Sequence, residues 1–473
     1  MTGFREEFGY VFYRVEYLLI FYVAAINLLY VVLIAVGFMT LRRFTGRILD
    51  PELDTLMNSR LLPGIAVVAP AFNEEVTVRE SVRSMLSLRY PEYEIIIVND
   101  GSKDRTLEIL IEEFRLYRSS RPPLGSIPTK RVRGVYESMD PVRLLVIDKE
   151  NGGKADSLNA GINYSRQPLF AAVDSDSLIE GDALFRIAKP FLDDERTVAT
   201  GGIIRVVNGC NVDHGAVTEI HAPSSFLARV QTVEYLRAFL GGRVAFSLLN
   251  SLLIISGAFG VFRRDVVIES GGYEVGSVGE DMELVVRMHR FMVDRGRERR
   301  VVFVPEPVCW TEVPESIRVL RRQRNRWQRG SLESLWKHRR MFLNPKYGAA
   351  GMIGMPYFVF FEVLGPIVEL VGYVMTIGGW ALGLINADTA ILFFVVSLLF
   401  GMLLGLASVV LEEFTLRKYP SAKDLRVLFL ASLYESLGYR QLTAVWRLQG
   451  IIDHFRGKGG WGKMERRGFG KPS

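Results

Sequence analysis

The sequence predicts an α/β domain built on a mostly parallel sheet and held beside a membrane by long apolar helices. Three observations carry that prediction. Between residues 63 and 207, apolar stretches of strand length alternate with stretches of helical spacing. Carboxylates gather where those strands end. Residues 17–41 and 389–411 contain no charge at all, over 25 and 23 residues, where a spanning helix needs about 20. The average composition, 49% hydrophobic and 23% charged over 473 residues, conceals this division.

The chain begins with its first apolar run. Arg42, Arg43 and Arg47 follow it, whereas Arg5 and Arg14 before it are offset by Glu6, Glu7 and Glu16. Positive flanks stay inside, so the N-terminus is expected outside and the following chain in the cytoplasm. The run is too long for a signal-peptide core and no small-residue cleavage site precedes it, so residues 1–50 read as an uncleaved anchor. Residues 51–315 form the mixed domain and residues 316–347 a basic interfacial region. Residues 348–412 provide two further spans and residues 413–473 a basic cytoplasmic tail. Within 348–387 only Glu362 and Glu369 are charged; seven apart, they share a helix face, where acids at depth face protein or a water path. Residues 427–434 are apolar but too short to span, as an interfacial or re-entrant helix would be. Arg440, Arg447, Arg456, Lys458, Lys463, Arg466, Arg467 and Lys471 mark the tail as cytoplasmic. The net charge of +6 thus follows topology, and no nucleic-acid partner is expected.

In the domain, IAVVAP (65–70), EIIIVND (94–100), LLVID (144–148), LFAAVDSDS (169–177) and VATGGIIRVV (198–207) read as strands. Helices are expected over 77–88, 106–117, 154–164 and 182–191, and residues 118–142 form an unusually long connection. All-apolar strands alternating with helices imply a parallel sheet covered on both faces, with ligands outside the carboxyl ends of the strands. There lie Glu74, Glu75, Asp100, Asp174 and Asp176. No GxGxxG follows a strand, and NGGKA (151–155) lacks the spacing of a phosphate-binding P-loop. Cys210 and Cys309 are far apart and the five histidines are scattered, which excludes a disulfide scaffold and structural zinc.

Acid at strand ends suits a divalent cation, Mg or Mn, completed by ligand phosphates and water. Asp174-Ser175-Asp176 is the candidate pair. GEDMELVVRMHR (279–290) reads as a loop entering a helix. Glu280 and Asp281 there complement the helix dipole, or serve as a general base for an attacking hydroxyl. RRQRNRWQRGS (321–331) sets arginines around Trp327; it would rest on anionic lipid, present Arg326 to a diphosphate, or both.

APAFNEE (69–75), VNDGSKDRT (98–106), NGGKADSLNAG (151–161), VDSDS (173–177), GED (279–281) and QRNRW (323–327), in this order, resemble a membrane-embedded family 2 glycosyltransferase. That group contains cellulose, hyaluronan, chitin and poly-N-acetylglucosamine synthases. The resemblance implies a GT-A fold for the cytoplasmic domain, a UDP-sugar donor and an inverting single displacement. It places Ala69, Glu74, Asp100, Lys154 and Arg326 on the nucleotide-sugar, and Asp174 and Asp176 on nucleotide and metal. Asp281, beside Glu280, becomes the catalytic base, while Ser256, Gly257, Gln323 and Trp327 face the acceptor. GED replaces the TED of cellulose synthases and the membrane helices are fewer, which separates this chain from cellulose as product and from a single-chain pore. The acceptor is then a growing polysaccharide or a lipid-linked molecule, with membrane lipid and a homodimer or translocation subunit as further partners. The rivals are transfer of one sugar to a polyprenyl phosphate or glycolipid, and a non-catalytic nucleotide-binding scaffold.

Overall fold

The computed structural model describes residues 2–45, 62–139 and 143–458. The strands are β1 (Ile65–Ala71), β2 (Tyr93–Asn99), β3 (Tyr117–Arg118), β4 (Val132–Glu137), β5 (Arg143–Lys149) and β6 (Leu169–Val173). There follow β7 (Leu178–Ile179), β8 (Thr197–Val206), β9 (Asn211–Asp213), β10 (Ala216–Glu219), β11 (Phe259–Arg263) and β12 (Arg300–Thr311). Ten of them form one sheet in the order β3-β4-β5-β2-β1-β6-β11-β8-β12-β7, and β9 with β10 makes a separate hairpin. The Ile and Val runs form its centre because both faces are covered; every residue of β6 and β8 is buried. From β1 the chain winds out through β2 to β5, then returns to place β6 on the other side of β1. Strand order therefore reverses beside β1, and the crevice outside the ends of β1 and β6 is where such sheets take ligands.

The sheet is mostly parallel through its first half but mixed overall. β11 runs antiparallel between β6 and β8, and β7 antiparallel to β12. The expected connection 118–142 is a correction, because part of it is sheet: β4 pairs antiparallel with β5 and β3 with β4. Only Val135 of β4 is buried, so this edge strand lacks the apolar run that marks its neighbours. Buried Arg121 anchors the preceding loop, donating to Glu94 (2.8 Å) and to the Tyr164 carbonyl (2.8 Å). The helix expected over 106–117 ends at Glu113, leaving Tyr117 to β3.

Among the described residues three helices are long and apolar enough to cross a membrane: Gly9–Arg42, Ala350–Ala381 and Ala387–Thr415. The second is π-helical before a bend at Leu364 and α-helical over Gly365–Ala381. Glu362 and Glu369 flank that bend and still share a partner. Arg447 pairs with Glu362 (2.9 Å) and Arg440 with Glu369 (3.0 Å), two rungs between antiparallel elements.

The tail folds back on itself as two helices. Helices Ala422–Tyr434 and Arg440–Phe455 form a hairpin that turns at Leu437 and Gly438, the latter at φ +89°, a conformation glycine adopts at little cost. The hairpin tip reaches deep along the third span. A Cβ on Gly401 would lie 2.6 Å from Ser436 Oγ, and Gly401 is 14 residues, about 20 Å of helix, from Thr415. Paired side chains make that depth tolerable: Glu435 accepts two bonds from Arg237 (2.6 and 2.8 Å). Residues 427–434 belong to the inward limb. Arg47, Lys463, Arg466, Arg467 and Lys471 lie outside the described residues.

Candidate active site

A cavity of about 520 Å³ lies beyond the ends of β6 and β11 and continues to the apolar helices. Ten of the thirteen residues singled out from sequence line it: Lys154, Asp174, Asp176, Ser256, Gly257, Glu280, Asp281, Gln323, Arg326 and Trp327. Residues as far apart as Lys154 and Trp327 thus meet because two loops and two helix ends converge on the strand-order reversal.

Asp174 leaves the end of β6, and its Oδ1 lies 2.5 Å from Lys154 Nζ on the opening turn of helix Lys154–Tyr164. The lysine also donates to the Gly257 carbonyl (3.1 Å) and lies 3.7 Å from Glu280. Burial works against the Lys154 charge, but the Asp174 and Glu280 carboxylates outweigh it and raise its pKa. A Cβ on Gly257 would lie 2.9 Å from that ammonium, so the lysine tip would have to shift to admit one. Its amide donates to Asp281 Oδ2 (3.2 Å), while Asp281 Oδ1 accepts from the Met282 amide (2.8 Å). The carboxylate is thereby oriented in the first turn of helix Glu280–Asp294.

Glu280, one residue earlier, is buried and its pKa is pushed up to about 7, by desolvation first, with Lys154 pulling down and Asp281 pushing up. A carboxyl group raised above its ordinary 4.5 favours the fold while protonated, and that contribution is lost as pH rises through 7. Glu280→Gln is therefore expected to melt a few degrees above the parent protein at pH 8, with the gap closing toward pH 5. Thermal scans at the two pH values check this; a gap independent of pH would refute the buried ionisation.

Helix Ile317–Lys337 brings QRNRW to the same cavity by touching the base helix backbone to backbone. Cβ atoms built at Gly279 or Gly330 would fall 2.8 and 2.7 Å from the other's Cα, so neither position accepts a side chain without displacement. Trp327 is 41% exposed, its ring capped by the guanidinium of Arg324 at 4.3 Å. Arg324 is itself held by Glu234 (2.6 Å) and Tyr439 (3.1 Å). Gln323 Oε1 is buried and has no hydrogen-bond partner among the described residues.

Ala69, Glu74 and Asp100 do not line this cavity. Ala69 is a buried member of β1, Glu74 accepts from Thr77 Oγ1 (2.7 Å), and Asp100 is saturated. Lys149 (2.6 Å) and the Gly152 amide (2.9 Å) donate to Asp100 Oδ1; the Gly153 amide (2.8 Å) and Asn151 (3.1 Å) donate to Oδ2. The carboxylate thereby ties the end of β2 to the NGGK loop that presents Lys154. The AFNEE and NDGSKDRT loops are stitched in turn, with the Glu75 amide on Asp104 (3.1 Å) and the Lys103 amide on Asn73 (2.8 Å).

A family model described as glycosyl transferase family group 2 matches residues 169–411, half of the chain, and one described as glycosyl transferase family 2 matches residues 66–271. The chain belongs to glycosyltransferase family 2. Among its family 2 relatives, the poly-beta-1,6-N-acetyl-D-glucosamine synthase of Staphylococcus epidermidis is 30% identical over 273 residues, 58% of this chain and 55% of that protein. The protein of the same name from Staphylococcus aureus (strain COL) is 27% identical over 275 residues, 58% and 56% of the two chains. The chain spans about half the length of these relatives. The mannosyltransferase PcManGT from Pyrobaculum calidifontis, in complex with GDP-Man and Mn2+, shares the fold. Its TM-score is 0.51 over 87% of this chain and 99% of that one, at 16% identity. This family 2 chain thus has the GT-A arrangement that the resemblance implied.

Sequence reasoning passed over Arg324, Glu234 and Gly330 of this family 2 site. QRNRW contains Arg324, but nothing in the motif separates the arginine that supports Trp327 from those facing solvent. Gly330 follows the motif by three residues and could have been noticed as a glycine inside a helix.

Proposed function

We propose that this family 2 chain transfers a sugar, with inversion, from a UDP-sugar to a hydroxyl of an acceptor at the membrane, building a polysaccharide. One observation carries the reading. The oriented Asp281 carboxylate shares a single cavity with the Asp174–Asp176 pair on one side and Gln323 and Trp327 on the other. Asp281 takes the proton of the attacking hydroxyl, and Trp327 offers the sugar ring a flat face. Gln323 Oε1 accepts a hydroxyl hydrogen. Arg326, with Lys154, stands against the charge of the departing diphosphate, where electrostatic stabilisation counts most.

Among the described residues no group of three or more His, Cys, Asp and Glu is placed to hold a metal. Asp174 and Asp176 supply two carboxylates, which fits a Mg or Mn ion that draws its other ligands from the donor diphosphate and water. Such an ion would add positive charge beside the leaving group. The N-terminus lies outside and the catalytic domain and C-terminus in the cytoplasm in this reading, so donor is taken from the side where UDP-sugars reside.

The test is the purified full chain in lipid nanodiscs with Mg or Mn and a panel of UDP-sugars, with UDP release and product size measured. UDP release with a product ladder supports a processive synthase. A single added sugar supports the non-processive reading, and absence of release with every donor refutes both.

A further inference from the structure

The cavity continues past Asp281 to Tyr30 of the first apolar helix and to Tyr357, Glu362 and Arg447. Six cationic side chains stand on its wall, and four of them form ion pairs with acids. Lys154 is held by Asp174, Arg237 by Glu435 (2.6 Å), Arg324 by Glu234 (2.6 Å) and Arg447 by Glu362 (2.9 Å). Arg326 lies in the field of Glu280. Arg243 has no hydrogen bond or ion pair among the described residues. Its guanidinium rests only on the ring of Phe239, 3.9 Å from the centroid. Burial lowers its pKa to about 10, with the Asp281 carboxylate opposing that fall, so it remains a cation at neutral pH.

Arg243 is partly exposed, toward the cavity it lines, and the fold holds it there. Arg243 ends a π-helical turn, Arg237–Arg243, a rare geometry that re-aims side chains and gathers at functional sites. Backbone contact locks the turn to the first apolar helix. A Cβ on Gly37 would fall within van der Waals overlap of the Leu240 carbonyl, and one on Gly241 would lie 3.1 Å from Ile34. Beside Arg243 the wall is apolar, with Phe246, Leu253, Tyr357 and Phe358 leading toward the spans. A lone guanidinium, an apolar wall and an exit toward membrane helices suit an anion carried on an alkyl chain, and the arginine fork matches phosphate.

Building on the transferase reading, we propose that Arg243 binds the phosphate of a lipid-linked saccharide acceptor. The phosphate sits on the membrane side of Asp281, and the terminal sugar hydroxyl faces the base. The acceptor class is thereby a glycosylated lipid phosphate rather than a free oligosaccharide.

The full chain in nanodiscs, given UDP-N-acetylglucosamine, is compared on two acceptors of equal chain length. One is N-acetylglucosamine on a long-chain alkyl phosphate, the other an alkyl N-acetylglucosaminide without phosphate. Arg243→Gln is expected to raise the KM of the phosphate-linked acceptor by roughly ten- to a hundredfold, the loss of one charge-assisted contact, and to move that of the neutral acceptor less than about twofold. Arg243→Lys should recover part of the loss. Displacement of a fluorescent alkyl phosphate measures the same contact without turnover, so a chain that proves inactive with every donor refutes the transferase reading while this assay still judges Arg243. Equal effects on both acceptors would overturn the proposal, as would displacement insensitive to Arg243→Gln. Weakened UDP binding in Arg243→Gln would place the arginine on the donor instead. An effect that appears only when phosphatidylglycerol replaces phosphatidylcholine would assign the phosphate to a bilayer lipid, not to the acceptor.

Discussion

Asp281→Asn is expected to lower sugar transfer by roughly 10²–10⁴-fold, the range a positioned general base supplies, while UDP-sugar binding persists. The geometry explains the split. Asp281 meets the Gly257 amide and the Met282 amide, and asparagine's carbonyl oxygen can keep one of these while its amide nitrogen accepts no proton. The donor would meet Asp174, Asp176 and Lys154, which the substitution leaves in place. UDP titration and transfer rate on the same preparation separate the two effects. Transfer at the parental rate would remove Asp281 from the base role, and loss of UDP binding would show that it holds the donor.

Glu412→Ala is expected to destabilise the protein by about 3–5 kcal/mol, since it strands a buried charge. Arg205 on β8 and Glu412 near the end of the third apolar helix are each 1% exposed in their side chains and meet at 2.7 Å. Among the described residues Arg205 Nε and Nη1 have no partner and Nη2 donates to Glu412, the acid that keeps this guanidinium inside the protein. The pair is also a desolvated tie between the catalytic sheet and the membrane-type helices. Apparent melting temperature at a fixed scan rate should fall by roughly 10 °C. The double substitution Arg205→Met with Glu412→Leu should regain most of it, because apolar groups of similar volume replace a buried pair at little cost. An unchanged melting temperature in Glu412→Ala would mean the pair is dispensable.

How much of this was legible beforehand varies with the kind of interaction. β1, β2, β5, β6 and β8 were readable because an uninterrupted run such as IIIVN has nowhere to fold but the centre of a sheet. Helix Lys154–Tyr164 was readable from its periodicity. β4 was missed since an edge strand needs only one buried residue, Val135, and so carries no run. β11 was missed because five residues, FGVFR, could as well be loop, and its antiparallel place between β6 and β8 depends on contacts distant in sequence. The limbs of the tail hairpin look like a short apolar stretch and a basic tail, until Arg440 and Arg447 are seen opposite Glu369 and Glu362.

The candidate site divides in the same way. Asp174, Asp176, Asp281 and Trp327 stand in motifs, where residue type and spacing already express a chemistry. By itself the sequence determined the α/β class, the apolar helices and the acids available for reaction, since these follow from local hydrophobic pattern and side-chain chemistry. Only the tertiary structure decided that Asp100 holds a loop, that Gly279 meets Gly330, and that Arg243 faces the cavity with no ion pair among the described residues. Each of those is a distance between residues far apart in the chain, and packing alone sets such distances.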